Sequence, residues 1–415
     1  MSNTKLIGPF KQMLTMQELP LKGSLHDNQL QVISNAGLLL EGGTIKELGN
    51  FNDLKAHFEN SEIEIISIDY EAVVLPSFVD AHTHICFAGS RANDFAMRNA
   101  GVSYLEIAKA GGGIWDTVTK TRKASKEELI EGIVKRAKKM ILSGISTIEV
   151  KSGYGLSVSD ELKMLEAIEA ANKLTPSQLI PTCLAAHIKP KDFDGSHEEY
   201  LRHISNELFP QIAERKLCSR VDAFIEEEAF DANNIDVYFN RAKELGFDIT
   251  VHADQFSTGG SEIAVKYGAI SADHLEASTQ KEIDMLASSD VISTALPGAT
   301  IGLGCAFTPA RKILDAGGAL AIASDWNPGS APMGDLLTQA SILATFEKLT
   351  TAEVLAGITY RAAAALKLVD RGVLQKNKRA DFVVYKTDNY NEILYHQGQL
   401  KPSNVWINGQ MVYNN

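Results

Sequence analysis

Two histidines separated by one residue, His82 and His84, follow a short apolar run at 73–79, and their type and spacing suggest chemistry. On an extended segment residues two apart share a face, roughly 6 to 7 Å apart. Two imidazoles so placed can reach one ion at about 2.0 to 2.1 Å each. Alone, such a pair is a weak signal, because most are surface or satisfied core features. It gains weight from what lies downstream. The chain has ten histidines. His187 closes the run 184–187, His252 closes 249–252 and His274 closes 270–274. The last apolar run, 319–323, ends in Ser324-Asp325-Trp326-Asn327-Pro328-Gly329. His26, His57, His197, His203 and His396 fall in other surroundings. Three imidazoles and a carboxylate form a borderline donor set, suited to zinc or iron and poor for magnesium or calcium. An ion of that kind brings the pKa of bound water to about 7, and an Asp beside it can take the proton. The chemistry implied is hydrolysis at a trigonal carbon.

These residues share a position only if the runs before them are strands of one barrel, where βα loops carry the chemistry at one rim. The pattern predicts strands over 146–150, 179–186, 221–225, 248–251, 270–272, 291–296 and 319–323, with helices over 160–174, 235–245 and 262–267 between several of them. A further helix is expected over 126–142, with Ser125 as N-cap and Glu128 three residues on. Repeated β-then-α over residues 73–359 fits a (β/α)₈ TIM-type barrel better than an open sheet. Both ends of the chain read as β instead. Residues 37–48 form a hairpin pattern around Glu41-Gly42-Gly43, 380–385 is strand-like, and 405–413 is a hairpin around Asn408-Gly409. A small β-sandwich domain assembled from residues 1–72 and 360–415 is therefore expected beside the barrel.

The bulk numbers fit a globular enzyme. The chain has 415 residues, 45% hydrophobic and 22% charged, with a net charge of -12. That charge, without a Lys/Arg cluster, argues against a nucleic-acid surface. Cys86, Cys183, Cys218 and Cys305 are widely spaced, as in a reduced cytosolic chain. No apolar run reaches about 18 residues and the N-terminus lacks a signal-peptide pattern, so a soluble, cytoplasmic protein is expected.

Several strings carry a resemblance. Pro76-x-x-Val79-Asp80-x-His82-x-His84, with a later strand-end His and a last-strand Asp, resembles the amidohydrolase superfamily. Residues 84–91 (HICFAGSR), 111–114 (GGGI), 149–156 (EVKSGYGL) and 324–330 (SDWNPGS) resemble the imidazolonepropionase family in particular. That family hydrolyses 4-imidazolone-5-propanoate to N-formimidoyl-L-glutamate in histidine degradation. The resemblance implies His82, His84, His252 and Asp325 as ligands of one zinc or iron ion per subunit. It also implies substrate contacts from Arg91, Tyr154, His187, Asn327, Gly329 and Ser330, with Tyr104 as a further pocket candidate.

The contacts make chemical sense. Arg91 offers a bidentate fork for the propanoate, and Tyr154 a second hydrogen bond. His187 is expected to donate to the developing oxyanion. Asn327, Gly329 and Ser330 are expected to read the ring edge. Related deaminases carry a Glu three residues after the strand-end His, but here the string is His252-Ala253-Asp254-Gln255. Gln255 cannot shuttle a proton, so it is expected to orient substrate while Asp325 and His274 move protons. The expected partner is a small-molecule substrate, without nucleic acid or membrane, and a homodimer is the assembly considered.

Other motifs are set aside. His197 and His203 are six apart on a helix and point roughly 240° apart, so they do not form a metal pair. Gly111 to Gly113 lacks a following Gly-Lys-Ser/Thr, and no Gly-x-Ser-x-Gly occurs. Lys151 could bridge two metals if carbamylated, but one ion is favoured. Glu226 to Glu228 could support the site or line a solvated rim. Two other functions stay open: a heterocycle deaminase, and a non-catalytic binding protein on a barrel scaffold.

Overall fold

The computed structural model describes residues 4–59, 62–227 and 229–415. Eight parallel strands follow one another in sequence order: β1 (Phe78–Asp80), β2 (Ile145–Lys151), β3 (Gln178–Ala186), β4 (Arg220–Ile225), β5 (Asp248–Ala253), β6 (Ser271–His274), β7 (Ile292–Ala295) and β8 (Leu320–Ile322). Strands β2 to β8 are the predicted strands, displaced by a residue or two at their ends, whereas β1 takes only the end of the apolar run 73–79. Strands β2, β6, β7 and β8 are buried along their whole length, and helices cover the sheet from outside. The helix Lys126–Leu142 starts as its sequence predicts: Ser125 accepts from the Glu128 amide, and the Glu128 carboxylate accepts from the Ser125 amide.

The barrel closes at its C-terminal rim. Thr83 and Trp326 form a parallel bridge. The His84 amide donates to the Trp326 carbonyl at 3.0 Å, and the Asp325 amide to the His82 carbonyl at 3.0 Å. Asp80 reinforces the seam by accepting from the Ser324 amide at 3.0 Å. The segments that carry the first and last candidate ligands are thus hydrogen-bonded to each other.

The two ends of the chain form one eight-stranded, mostly antiparallel sheet in which Phe382–Tyr385 pairs with Val73–Pro76 and Val73 and Val74 pair with Gln12 and Met13. The expected boundary between residues 72 and 73 therefore leaves a strand of the terminal sheet, Val73–Pro76, on the barrel side. At the other boundary, the helix Tyr360–Ala365 packs Ala362, Ala363 and Ala365 against Val79, Ile292 and Ala321 of the barrel. The sheet curls until its two hairpins meet. Asn408 and Gly409 both have positive φ, and a Cβ at Gly409 would collide with the Gly42 carbonyl, so the Asn-Gly turn is required by both twist and space. Phe10, Leu38, Val74, Phe382 and Trp406 fill the inner face.

Candidate metal centre

The rim brings His82, His84, His252 and Asp325 together. The His82 and His84 Nε2 atoms are 3.2 Å apart, and those of His84 and His252 are 3.3 Å apart. Asp325 Oδ1 stands 3.6 Å from His82 Nε2 and 3.4 Å from His84 Nε2. Donors about 2.0 to 2.2 Å from one ion in a tetrahedral array stand roughly 3.3 to 3.6 Å from each other. The observed spacings lie close to that range: the three imidazoles offer donor atoms all within 4.8 Å of one another, and Asp325 Oδ1 stands beside two of them, His82 and His84.

The tautomers fit as well. His82 Nδ1 lies 2.7 Å from Asp273 Oδ2, and His252 Nδ1 lies 2.9 Å from Asp222 Oδ2. A carboxylate accepts, so it holds the ring hydrogen on Nδ1 and turns the Nε2 lone pair inward. Burial lowers all three imidazoles, His82 well below its ordinary value, His84 to about 3 and His252 to about 4. The His82 and His252 Nε2 atoms both face His84 Nε2 at hydrogen-bond distance, and a cation among them would take all three lone pairs once His84 carries its hydrogen on Nδ1.

Behind the ligands lies a charged layer that sequence reading missed. Lys151, fully buried, places Nζ 2.8 Å from both Glu149 Oε1 and Asp222 Oδ2 and 3.9 Å from Asp273 Oδ2. Burial would lower this amine, yet Asp222, Glu149 and Asp273 together hold it above its ordinary value. Burial would likewise raise Asp222, and His252 and Lys151 outweigh that and keep its carboxyl far below the usual range. Lys151 is therefore a counter-ion for the carboxylates behind His82 and His252. The available signal was a polar residue inside each apolar strand, at 151, 222 and 273.

The remaining candidates surround this centre. The His274 ring centroid lies 5.4 Å from that of His252, and its Nδ1 lies 3.4 Å from Glu276 Oε1. Burial opposes its protonation, but Glu276, Asp325 and Asp273 raise it above its ordinary value. Burial also raises Asp325, against the pull of His274 and His252. Both residues have positive φ, an uncommon conformation that recurs at functional sites. The Tyr154 ring lies tilted at 5.5 Å from His187 and 6.0 Å from His84, with its hydroxyl unbonded to protein among the described residues.

His187 differs from its expected role. Its Nδ1 lies 3.0 Å from the Gly153 carbonyl, which can only accept, so the hydrogen sits on Nδ1 and Nε2 is left as an acceptor. Burial lowers its pKa to about 3, so the charged form that could donate to an oxyanion is disfavoured. Asn327 also does something other than expected. Its Nδ2 donates to the Asp325 carbonyl at 2.8 Å and to Asp325 Oδ2 at 2.9 Å, while its Oδ1 accepts from the Gly329 and Ser330 amides at 2.7 and 2.8 Å. Its amide braces the loop that carries Asp325 and Ser330, leaving nothing free for a ring edge.

Each substrate-side loop has a carboxylate holding it. Glu161 accepts from the amides of Gly153, Gly155 and Leu156, which fixes Tyr154. Glu226 accepts from the Phe256 and Ser257 amides next to Gln255, whose own amide has no partner among the described residues. Asp94 accepts from Arg91 Nε at 2.7 Å and from the Gly113 amide at 2.8 Å, which explains the Gly run: a Cβ at Gly112 would meet the Asp94 carboxylate. Arg91 Nη1 in turn lies over Gly329, where a Cβ would stand 2.7 Å away. The Tyr104 side chain and Glu228 lie outside the described residues. His197 and His203 sit on a helix, His197–Glu207, capped by Ser196 and remote in sequence and position from the ligands.

Comparison with known proteins agrees with this geometry. The amidohydrolase family model matches residues 73–412. The chain is 39% identical to an imidazolonepropionase of Bdellovibrio bacteriovorus over 98% of this chain and 96% of that one. It is 38% identical to one from Bacillus cereus over 97% of this chain and 95% of that one. The chain belongs to the imidazolonepropionase family of amidohydrolases. Solved amidohydrolase-fold structures superpose over nearly all of it at low identity. E. coli guanine deaminase gives a TM-score of 0.75 at 16% identity, covering 99% of this chain and 100% of that one. Atrazine chlorohydrolase from Arthrobacter aurescens complexed with zinc gives 0.70 at 16% identity, covering 99% and 95%. These two show the shared fold. Among the described residues no helix is long and apolar enough to cross a membrane.

Proposed function

We propose that the barrel mouth hydrolyses the ring amide of 4-imidazolone-5-propanoate to N-formimidoyl-L-glutamate. In this reading His82, His84, His252 and Asp325 hold one zinc or iron ion. The observation that carries the reading is the convergence of three imidazoles within 4.8 Å of one another, with Asp325 Oδ1 at 3.6 and 3.4 Å from His82 and His84. Such an ion, when bound, acidifies water and draws charge from a carbonyl oxygen.

The chain's own groups supply the rest. Asp325 takes the proton of the attacking water and returns it to the ring nitrogen, so that the C–N bond breaks with a neutral leaving group. His274, kept basic by Glu276, holds that water beside Asp325. Arg91 and Tyr154 bind the propanoate, the first through its Nη groups and the second through its free hydroxyl. His187, with its hydrogen fixed on Nδ1, accepts from a ring N–H and so sets the orientation of the amide. Gln255 offers its unpaired amide to the ring, and Gly329 and Ser330 line the pocket beneath Arg91.

The test is the fall of imidazolone absorbance on mixing with the metal-loaded protein. The reading predicts rapid loss and no ammonia released from purines or pyrimidines. Stable imidazolone absorbance together with ammonia release would transfer the chain to the deaminases.

A further inference from the structure

Outside the mouth, the helix Lys126–Leu142 presents Gly132, Lys135, Arg136 and Lys139 at i, i+3, i+4 and i+7, one continuous face. Residues 135–139 read Lys-Arg-Ala-Lys-Lys, so the chain does hold one short Lys/Arg cluster, contrary to the expectation that accompanied its net charge of -12. This face lines a cleft of about 430 Å³ that Arg91 and Asn327 also line. Phe87, Trp326, Pro328 and Pro332 supply apolar walls, and among the described residues no Asp or Glu lines the cleft.

The cations here lack counter-ions. Among the described residues, Lys135, Arg136 and Lys139 make no ion pair, whereas Lys126 on the same helix pairs with Glu166 at 3.0 Å. Like charges at i, i+4 repel on a helix surface. Arg136 is held in place nonetheless. Its guanidinium lies 3.6 Å from the Phe87 ring centroid, and its Nη1 donates to the Ile85 carbonyl at 2.8 Å. Its Nε and Nη2 have no protein acceptor among the described residues. Burial lowers its pKa to about 10, with no carboxylate opposing the shift. Gly132, a poor helix former in mid-helix, makes room for it: a Cβ there would stand 2.9 Å from Arg136 Nη1.

We propose that this cleft is a second anion site that takes a small dicarboxylate and shares Arg91 with the metal centre. The occupant's class rests on the hydrolase reading, since opening a ring amide adds a carboxylate to the one the substrate already bears. One carboxylate meets Arg136, Lys135 and Lys139, the methylenes lie along Phe87 and Trp326, and the other carboxylate reaches Arg91. The Nε of Arg91 is taken by Asp94. Its Nη groups are then contested between a carboxylate in the cleft and one in the barrel, so the cleft ligand inhibits turnover.

Calorimetric titration of the metal-loaded protein with glutarate, at constant ionic strength, tests the site without using turnover. One glutarate per chain is expected, with glutaramide silent and propionate at least tenfold weaker. The Lys135→Gln/Lys139→Gln double variant is expected to weaken glutarate at least tenfold and to relieve its inhibition equally, with uninhibited turnover unchanged. Arg136→Gln is expected to act in the same direction. Absence of heat, equal binding of glutaramide, or unchanged glutarate affinity in the double variant would overturn the proposal. Loss of binding in Arg91→Ala alone, with the helix variants unaffected, would place the dicarboxylate in the barrel and overturn it too. Failure of imidazolone turnover would count against the function and leave the calorimetric result readable.

Discussion

The barrel mouth and the curled terminal sheet bury their side chains equally well but bury opposite kinds. In the sheet, Phe10, Leu38, Val384 and Phe382 are fully buried and apolar. In the mouth, His82, Glu149, Lys151 and Asp222 are fully buried and ionisable. An apolar side chain contributes through the area it covers, largely independently of its neighbours. A buried charge is tolerable only while its partner stands beside it. The sheet should therefore lose stability in proportion to what is removed, and the mouth should fail as a unit.

The largest expected effect is on chemistry. Asp325→Asn should lower kcat on the order of a thousandfold, the scale of general acid–base catalysis, with the fold intact by circular dichroism. Wild-type kcat in this variant would remove Asp325 from its role. Next is Lys151→Met, which strips the cation from between Glu149 and Asp222. Denaturant unfolding should show a loss of about 3 to 5 kcal/mol, along with lower metal content. A loss below about 1 kcal/mol would mean that the layer is not coupled. Phe382→Ala, which removes the ring stacked 5.3 Å from Trp406, should cost a similar 3 to 5 kcal/mol. Here kcat should stay at the wild-type value, and a changed kcat would erase the contrast between the two regions. The smallest effect is expected of Asp222→Asn, which keeps shape but weakens the support of His252. Competition with a chelator should show metal affinity down about 10- to 100-fold, and unchanged affinity would make Asp222 a bystander.

The same contrast explains what could be read from sequence. The terminal hairpins and the barrel strands were legible because alternation, apolar runs and turn residues are local signals. The histidines and Asp325 were legible because strand ends share one rim. The layer beneath was not, because its partners are far apart in the chain: His82 and Asp273 are separated by 191 residues. Lys151 was visible only as a possible ligand, since nothing local reveals that Asp222 and Glu149 flank it. The tautomer of His187 depends on a carbonyl 34 residues away, so which ring nitrogen carries its hydrogen could not be foreseen. The resemblance makes Asn327 a substrate contact, and only the fold shows its amide hydrogen-bonded to Asp325, Gly329 and Ser330. The strand 73–76 was assigned to the barrel because its apolar run continues into β1, and only pairing shows that the terminal sheet holds it.

One metal titration tests the central arrangement most directly. Metal-free protein titrated with zinc against a chromophoric chelator should take up one ion per chain, and the His84→Ala/His252→Ala variant should take up none at the same concentration. Two ions in the wild type, or undiminished uptake by the variant, would contradict a single centre built by these four side chains.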